Sequence, residues 1–400
     1  MYLVVEFRIF DHIARTERYV QKGLDFFSIP RSFISYLHGR SVYEVFDTGF
    51  SYGPYSQYFV FHPAVSFVFG SWLHLFSPWV SYRIFLIGSL LMLAHLSLLM
   101  KDCFQKSKYA SFAGAYVVFF SIMTYSMLLK GQIHVLCVLG CGYVLWVLQK
   151  SVGTSPTPAL KRFFIFGVLL SLFSKPLIAV AFPALLLNRI WRRPTLKAIG
   201  FYLLISAVLV LVSSSHSSDS IKQLMDFPNS FVGDKDKNWK KYDIFWHWAW
   251  MVQETSYIGN SLKTGLRYFS LPALLRVYVF PWMQNSVLFQ LFYVPPLLLS
   301  FRSEKNRDEI LLLVIFAMSS YFLCITAVWE YHYISLQIMI PFLFWLSNRT
   351  RDAFEKRCLL VASAFGLLLF LPSTYFFRPY WSSFSDIAGN LFRLSSGFCK

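Results

Sequence analysis

The sequence predicts an all-α polytopic membrane protein, and three observations predict it. Hydrophobic residues make up 56% of the 400-residue chain and charged residues only 14%, whereas about 25% charged residues is typical of soluble domains. Aromatic residues reach 20%. Long apolar runs, close to the roughly 20 residues that a spanning helix needs, follow one another along the chain. Together these features argue against a soluble enzyme, a disordered protein and a coiled coil.

The apolar runs define about ten candidate membrane spans. Only whole helices cross the bilayer, because hydrocarbon offers the peptide backbone no hydrogen-bond partner. Lys175-Pro176 breaks one long apolar stretch, and we expect a hairpin of two short helices there. The candidates lie near residues 82–100, 109–129, 133–149, 163–174, 176–190, 198–213, 284–301, 310–328, 333–347 and 357–375.

Segment 58–76 is also apolar, and the distribution of basic residues decides how we interpret it. Cytoplasmic connections are enriched in Lys and Arg. If 58–76 does not span, five connections on one side hold 17 of the 37 basic residues, whereas three short connections on the other side hold only Lys130 and Lys175. We therefore expect 58–76 to be an interfacial or re-entrant helix on the outer face. The five basic connections are 101–108, 150–162, 188–197, 302–309 and 348–357.

The remaining charges complete the predicted organisation. The net charge is +17, but its position beside apolar runs indicates membrane topology rather than a nucleic-acid partner. Residues 1–24 are too charged to span and lack the features of a signal peptide. Either they lie at the membrane interface or a further helix precedes them, and we favour the second interpretation because residues 25–57 must reach the outer face. The predicted regions are an N-terminal segment and first outer loop with interfacial helices (1–81), a first set of spans (82–213), an outer loop (214–283), the C-terminal spans (284–375) and an outer tail (376–400).

Polar side chains collect on the predicted outer face. Ionisable groups at membrane depth are costly and are therefore functional candidates, although each alone also fits an ordinary role such as an interface anchor or a snorkelling lysine. A carboxylate such as Asp25 can act as a general base toward a hydroxyl, and cationic side chains can hold a phosphate. The candidates are Asp25, Tyr52, Arg83, Gln132, His134, Lys175, Asn260, Glu330 and His332.

This set suits the transfer of a sugar from a lipid phosphate to an acceptor alcohol, with the lipid tail in an apolar groove between helices. No GxxxxGKS or GxGxxG motif occurs, so a nucleotide site is unsupported. We expect no cofactor, and we see no acidic cluster that requires a metal.

Four stretches then resemble the GT-C superfamily of polytopic glycosyltransferases. Within it, the chain is most similar to the polyprenol-phosphate-mannose-dependent alpha-mannosyltransferases of the phosphatidylinositol-mannoside type. The stretches are Asp25 with Gly39-Arg40-Ser41-Val42-Tyr43, Tyr52-Gly53-Pro54-Tyr55, Gly131-Gln132-Ile133-His134 followed by Lys175-Pro176, and Trp329-Glu330-Tyr331-His332.

The resemblance implies a GT-C-type bundle and a role for each candidate residue. Asp25 would be the catalytic base that deprotonates the acceptor hydroxyl. Lys175, His332 and Arg83 would hold the donor phosphate. The residues implied to contact sugar or acceptor are Gln132, His134, Tyr52, Asn260 and Glu330.

The implied activity is transfer of a hexose, mannose first, with inversion at the sugar carbon. The donor would be a polyprenyl-phosphate sugar and the acceptor a lipid or glycan hydroxyl. The protein would be a multi-pass protein of the cell membrane, surrounded by its lipids, with its site on the extracytoplasmic side. Alternatives are a transporter or flippase, a polymerase or ligase of surface polysaccharide that handles lipid-linked glycans, and a structural membrane scaffold. A transporter predicts charges in the middle of the spans, and here the middles are nearly free of charge.

Overall fold

A computed structural model describes residues 1–14, 22–39, 42, 52–54, 59, 61–104, 110–119, 121–214, 291, 293–302, 307–324 and 333–367. These residues form helices and no strand, which confirms the all-α prediction. The predicted outer loop, apart from its first residue, and the C-terminal tail lie outside the described residues.

The helices follow the apolar runs of the sequence. They are α1 (Tyr2–Glu6), α2 (Ile9–Ala14), α3 (Ser28–Leu37), α4 (Pro63–Leu73), α5 (Pro78–Met100), α6 (Ala110–Phe119), α7 (Ile122–Lys130), α8 (His134–Lys150), α9 (Pro158–Ser174), α10 (Leu177–Leu187), α11 (Arg192–Ser214), α12 (Val294–Arg302), α13 (Arg307–Cys324), α14 (Ile334–Ser347) and α15 (Ala353–Leu367).

Within the described ranges, one helix passes a test of length and apolarity for crossing a membrane. It is α5 with the 3₁₀ turn that follows it, Pro78–Phe104. Several other apolar helices are shorter, among them α8 and α14. The bundle of about ten spans therefore stays a prediction.

Two predicted helices are divided in the structure. The run 109–129 separates into α6 and α7 at Ser121, whose extended backbone ends the helical path and whose hydroxyl accepts a hydrogen bond from Met123 N (3.0 Å). A serine in this position caps the new helix. The run 333–347 is interrupted by a turn at 338–339, and Pro341 stands in the first turn of the segment that follows. Proline suits that position because the first helical N–H groups have no helical partner.

Helix α8 lies at the centre of the fold. Almost every one of its residues is buried, including Cys137 and Val144. It packs closely against α9, and the two backbones approach at Gly140 and Gly167. A Cβ on Gly140 would lie 2.4 Å from the Gly167 carbonyl oxygen. This contact requires glycine, since any side chain at residue 140 would push the helices apart.

The described parts of the connections rich in Lys and Arg lie at one end of this bundle, which we call the basic end. Lys150, after which the α8–α9 connection begins, pairs with Asp102 (2.9 Å). The ring of Phe104 contacts that of Phe344, close to the end of α14, with 5.6 Å between the ring centres. The connections around residues 150 and 190 and the start of α13 lie close together, with Leu148, Ser151, Pro156, Ile190, Trp191 and Ile310 around one point.

Segment 58–76 contains the short helix α4, capped by His62, whose Nδ1 accepts a hydrogen bond from Ala64 N (3.1 Å). At roughly 16 Å long, α4 is much shorter than a bilayer core. It packs on α3, where Ser66 and Ser32 are hydrogen-bonded (2.6 Å). A helix too short to span is compatible with the interfacial interpretation of this segment.

Candidate functional site

The candidate site is built around the connection between α7 and α8. Gly131 ends α7 in the left-handed conformation (φ 66°), and Gln132 N donates a hydrogen bond to Met127 O (3.0 Å). This arrangement turns the chain sharply and satisfies carbonyl groups at the end of the helix. A Cβ on Gly131 would lie 2.5 Å from the Cβ of Phe26. Glycine is therefore needed both for the turn and for the segment that packs on it.

That segment, residues 22–27, binds the end of α7 through its backbone. Gly23 N donates to Leu129 O (2.7 Å), and Asp25 N donates to Lys130 O (3.0 Å). The last carbonyls of a helix have no partner within the helix, so the backbone N–H groups of this segment, which consists of turns, can satisfy them. The result brings Asp25 beside Gln132, more than a hundred residues later in the sequence.

The carboxylate of Asp25 is the centre of the site. Its Oδ2 accepts a hydrogen bond from Gln132 Nε2. Lys175 lies close enough to interact electrostatically with Asp25. It also interacts electrostatically with Lys130. One carboxylate, one amide and two ammonium groups thus gather at the end of the bundle opposite the basic end, which we call the polar end.

Lys175 owes its position to the break between α9 and α10. Its backbone is extended (φ −148°), as expected for a residue that precedes proline. Its N–H still donates to Ser171 O (2.8 Å), which ties it to the last turn of α9. Burial lowers the pKa of Lys175 to about 8, with the negative charge of Asp25 opposing this effect and the positive charge of Lys130 adding to it.

His134 begins α8 and connects the site to α14. Its Nε2 lies 3.0 Å from the hydroxyl of Ser335, and both side chains are buried. This pair joins the first turns of the two helices. Two residues further on, the amide oxygen of Gln337 accepts a hydrogen bond from Ser121 (3.0 Å).

Two other predicted site residues are engaged elsewhere. Arg83 pairs with Glu6 of α1 (2.9 Å). Glu6 also binds Lys22 (2.8 Å); burial raises the pKa of Glu6, but the hydrogen bonds from these two cations hold it below its usual value. The Tyr52 hydroxyl lies within hydrogen-bond distance of the backbone oxygens of Leu73, the last residue of α4, and of Phe76, and of the hydroxyl of Ser81 (2.6 Å). The contacts of Arg83 and Tyr52 are thus structural ones.

The remaining predicted site residues, Asn260, Glu330 and His332, lie outside the described residues. In the part of the chain that the structure does describe, no group of three His, Cys, Asp or Glu side chains has the arrangement of a metal site.

Sequence reasoning did not single out two residues that the structure adds to the polar end: Lys130 and Ser335. Lys130 carried a signal, since it is one of only two basic residues in the short outer connections and directly precedes Gly131. Ser335 carried none. It lies in an apolar run, and its place beside α8 depends on its contact with His134, 201 residues away in the sequence.

Comparison with protein-family models, with curated proteins and with solved structures finds no match to this chain.

Proposed function

We propose that the protein is a multi-pass membrane glycosyltransferase of the GT-C type, which transfers a hexose from a polyprenyl phosphate to a lipid or glycan hydroxyl. One observation carries the proposal. The carboxylate of Asp25 is held by Gln132 beside two lysines, Lys130 and Lys175. A base next to two cations is the chemistry that such a transfer requires.

The difference between the two ends of the bundle supports one orientation of the protein in a membrane. Basic connections favour the cytoplasmic side of a membrane, and here Lys150 pairs with Asp102 while the residues around 150, 156 and 190 lie close together at the same end. Asp25 and Gln132 belong to the opposite end. The proposed site therefore faces the extracytoplasmic side, where lipid-linked sugars are displayed to acceptors.

The proposed reaction is a single displacement. Asp25 takes the proton of the acceptor hydroxyl, and the acceptor oxygen attacks the anomeric carbon of the donor. The bond between that carbon and the phosphate oxygen breaks on the opposite face, so the configuration inverts. Lys130 and Lys175 stabilise the negative charge of the departing polyprenyl phosphate. Gln132 orients the carboxylate through its hydrogen bond.

The test is donor discharge in membranes that contain the protein. A panel of labelled polyprenyl-phosphate sugars, mannose first, is incubated with wild type and with Asp25→Asn. General-base catalysis contributes about 10²–10⁴-fold, so we expect the variant to lose at least a hundredfold in rate while still inserting into the membrane.

Asp352→Asn is the matched control. Asp352 is exposed beside the basic end, and its oxygen caps α15 by accepting a hydrogen bond from Glu355 N (2.8 Å), which asparagine can also do. This variant should discharge the donor at the wild-type rate. Equal rates for Asp25→Asn and Asp352→Asn would reject Asp25 as the base. Absence of discharge from every donor by well-inserted wild type would favour the transporter or polymerase alternatives.

A further inference from the structure

The first turns of α9 and α11 lie side by side at the basic end. Phe164 of α9 stacks on Trp191, the residue before α11, with 4.6 Å between the ring centres. Further along the same two helices, Phe173 contacts Tyr202 (5.2 Å). The two contacts follow the same order, so α9 and α11 run parallel and both begin at the basic end. Their exposed cations form what we call the cationic surface: Lys161, Arg162, Arg189, Arg192, Arg193 and Lys197.

The turn that leads into α11 holds this surface in place. The side-chain oxygen of Asn188 accepts hydrogen bonds from Ile190 N (3.0 Å) and Trp191 N (3.3 Å). The hydroxyl of Thr195 donates to Trp191 O (2.8 Å), and the Trp191 side chain is buried. The backbone that carries Arg189, between Asn188 and Ile190, is therefore fixed against α9 before any ligand binds.

Acidic residues do not neutralise the cationic surface. The sequence contains no Asp or Glu between Asp102 and Asp219, and Asp102 itself pairs with Lys150. Among the described residues, none of the six cations forms an ion pair. Glu309 borders the surface, since its neighbour Ile310 lies near Trp191. Even with that one carboxylate, the surface keeps a large positive charge that favours an anionic ligand.

An exposed apolar stripe continues from the cations along α11. Residues three or four apart share one face of a helix, and the stripe follows this spacing. Phe201 is 51% exposed and Leu204 is 62% exposed. A nucleic acid or an acidic peptide would match the charges but would leave this stripe uncovered. A phospholipid matches both parts, with its phosphate at the cations and its acyl chains along the stripe. The face consists of Arg193, Lys197, Phe201, Leu204 and Val208.

We propose that the cationic surface is a binding site for the headgroup of an anionic phospholipid. Arginine donates paired hydrogen bonds to phosphate oxygens, and basic clusters beside spanning helices attract the anionic lipids of the cytoplasmic leaflet. The lipid is a bound partner at the basic end, and no chemistry occurs on it. This inference rests on the proposed placement in a membrane but not on glycosyl transfer.

The test measures how lipid raises the melting temperature of the full chain in uncharged detergent, without any sugar donor. A ligand that binds the folded state stabilises it in proportion to occupancy. Phosphatidylglycerol should raise the melting temperature of wild type, whereas phosphatidylcholine should not. Each cation near an anionic lipid contributes about fivefold in affinity. The triple variant R189Q/R192Q/R193Q should therefore need about a hundredfold more phosphatidylglycerol for the same shift.

The matched control removes three other exposed cations at the start of α15. The variant R351Q/K356Q/R357Q loses the same charge, but these cations lie among the acidic residues Asp352 and Glu355. It should respond to phosphatidylglycerol as wild type does. The variant R189K/R192K/R193K keeps the charge of the cationic surface and should keep most of the response.

Several results would overturn the site. They are an equal loss of response in both glutamine variants, a loss in the lysine variant as large as in R189Q/R192Q/R193Q, and an equal response of wild type to phosphatidylcholine. A shift of the same size with inorganic phosphate would show that a free anion binds instead of a lipid. Donor discharge is measured separately, so its failure would reject the proposed activity and leave the lipid response intact.

Discussion

Lys175 illustrates at the scale of a single residue how local structure sets chemistry. Pro176 stops the helix, so Lys175 leaves α9 at a point where its side chain is partly buried. Burial lowers its pKa to about 8, against the opposing charge of Asp25. An ammonium group with such a pKa is charged at neutral pH but loses its proton within the range in which enzymes are assayed.

This property predicts a pH dependence of donor use. The protonated form binds phosphate, so kcat/KM for the donor should be flat below about pH 8 and fall by about tenfold per pH unit above it. In Lys175→Arg the cation persists, because arginine titrates above about pH 12, and the fall should move to higher pH. Lys161→Arg, at the exposed start of α9, is the control. Identical profiles for all three proteins would contradict a phosphate role for Lys175.

The packing of α8 on α9 decides stability at the scale of the element. Their backbones meet where Gly140 faces Gly167, and the hydroxyl of Ser171 lies 3.6 Å from the sulfur of Cys137 in the same interface. Small residues allow this close approach, and close approach supplies the dispersion contacts that hold apolar helices together.

Gly140→Ala should therefore weaken the fold. Its new methyl group would lie 2.4 Å from a backbone oxygen that cannot rotate away, and overpacking of this kind costs about 1–3 kcal/mol. Gly88→Ala in α5 is the control, because an added Cβ there meets no atom within 4 Å; it should stabilise by about 0.5–1 kcal/mol through helix propensity. Thermal melting in detergent distinguishes them. Equal melting temperatures would mean that α8 and α9 do not meet at these glycines.

The sequence predicted most of the helices and only part of the site. Apolar runs locate helices well, because length and composition are local properties. The break at Ser121 was not predicted, since the neighbouring residues do not distinguish a capping serine from any other serine in an apolar run. Asp25 and Gln132 were predicted on one face, but the hydrogen bond between them was not. Ser335 was not predicted because its contact with His134 depends on packing between helices that are distant in the sequence.

At the scale of the whole molecule, these charged residues lie in two groups, one at each end of the bundle. Lys150 pairs with Asp102 at the basic end, whereas Asp25 and Lys175 belong to the polar end. If the bundle crosses a membrane as proposed, the two ends face different compartments.

Labelling of introduced cysteines tests this arrangement. In a protein whose six cysteines are replaced by alanine, Thr154→Cys lies in the exposed connection between α8 and α9, and His38→Cys lies at the exposed end of α3. A maleimide that cannot cross membranes should modify His38→Cys in intact cells and Thr154→Cys only after permeabilisation. Modification of both in intact cells would reject the proposed topology.

The residues of the site are synthesised at widely separated times. Asp25 and Gln132 are 107 residues apart, and the contact between His134 and Ser335 spans 201 residues. At about 5–20 residues per second, tens of seconds pass between the emergence of Asp25 and that of Ser335 from the ribosome. A nascent chain that ends before Ser335 lacks one part of the site. If the protein acts on lipid carriers of its own membrane as proposed, it would therefore have no activity until its translation is nearly finished.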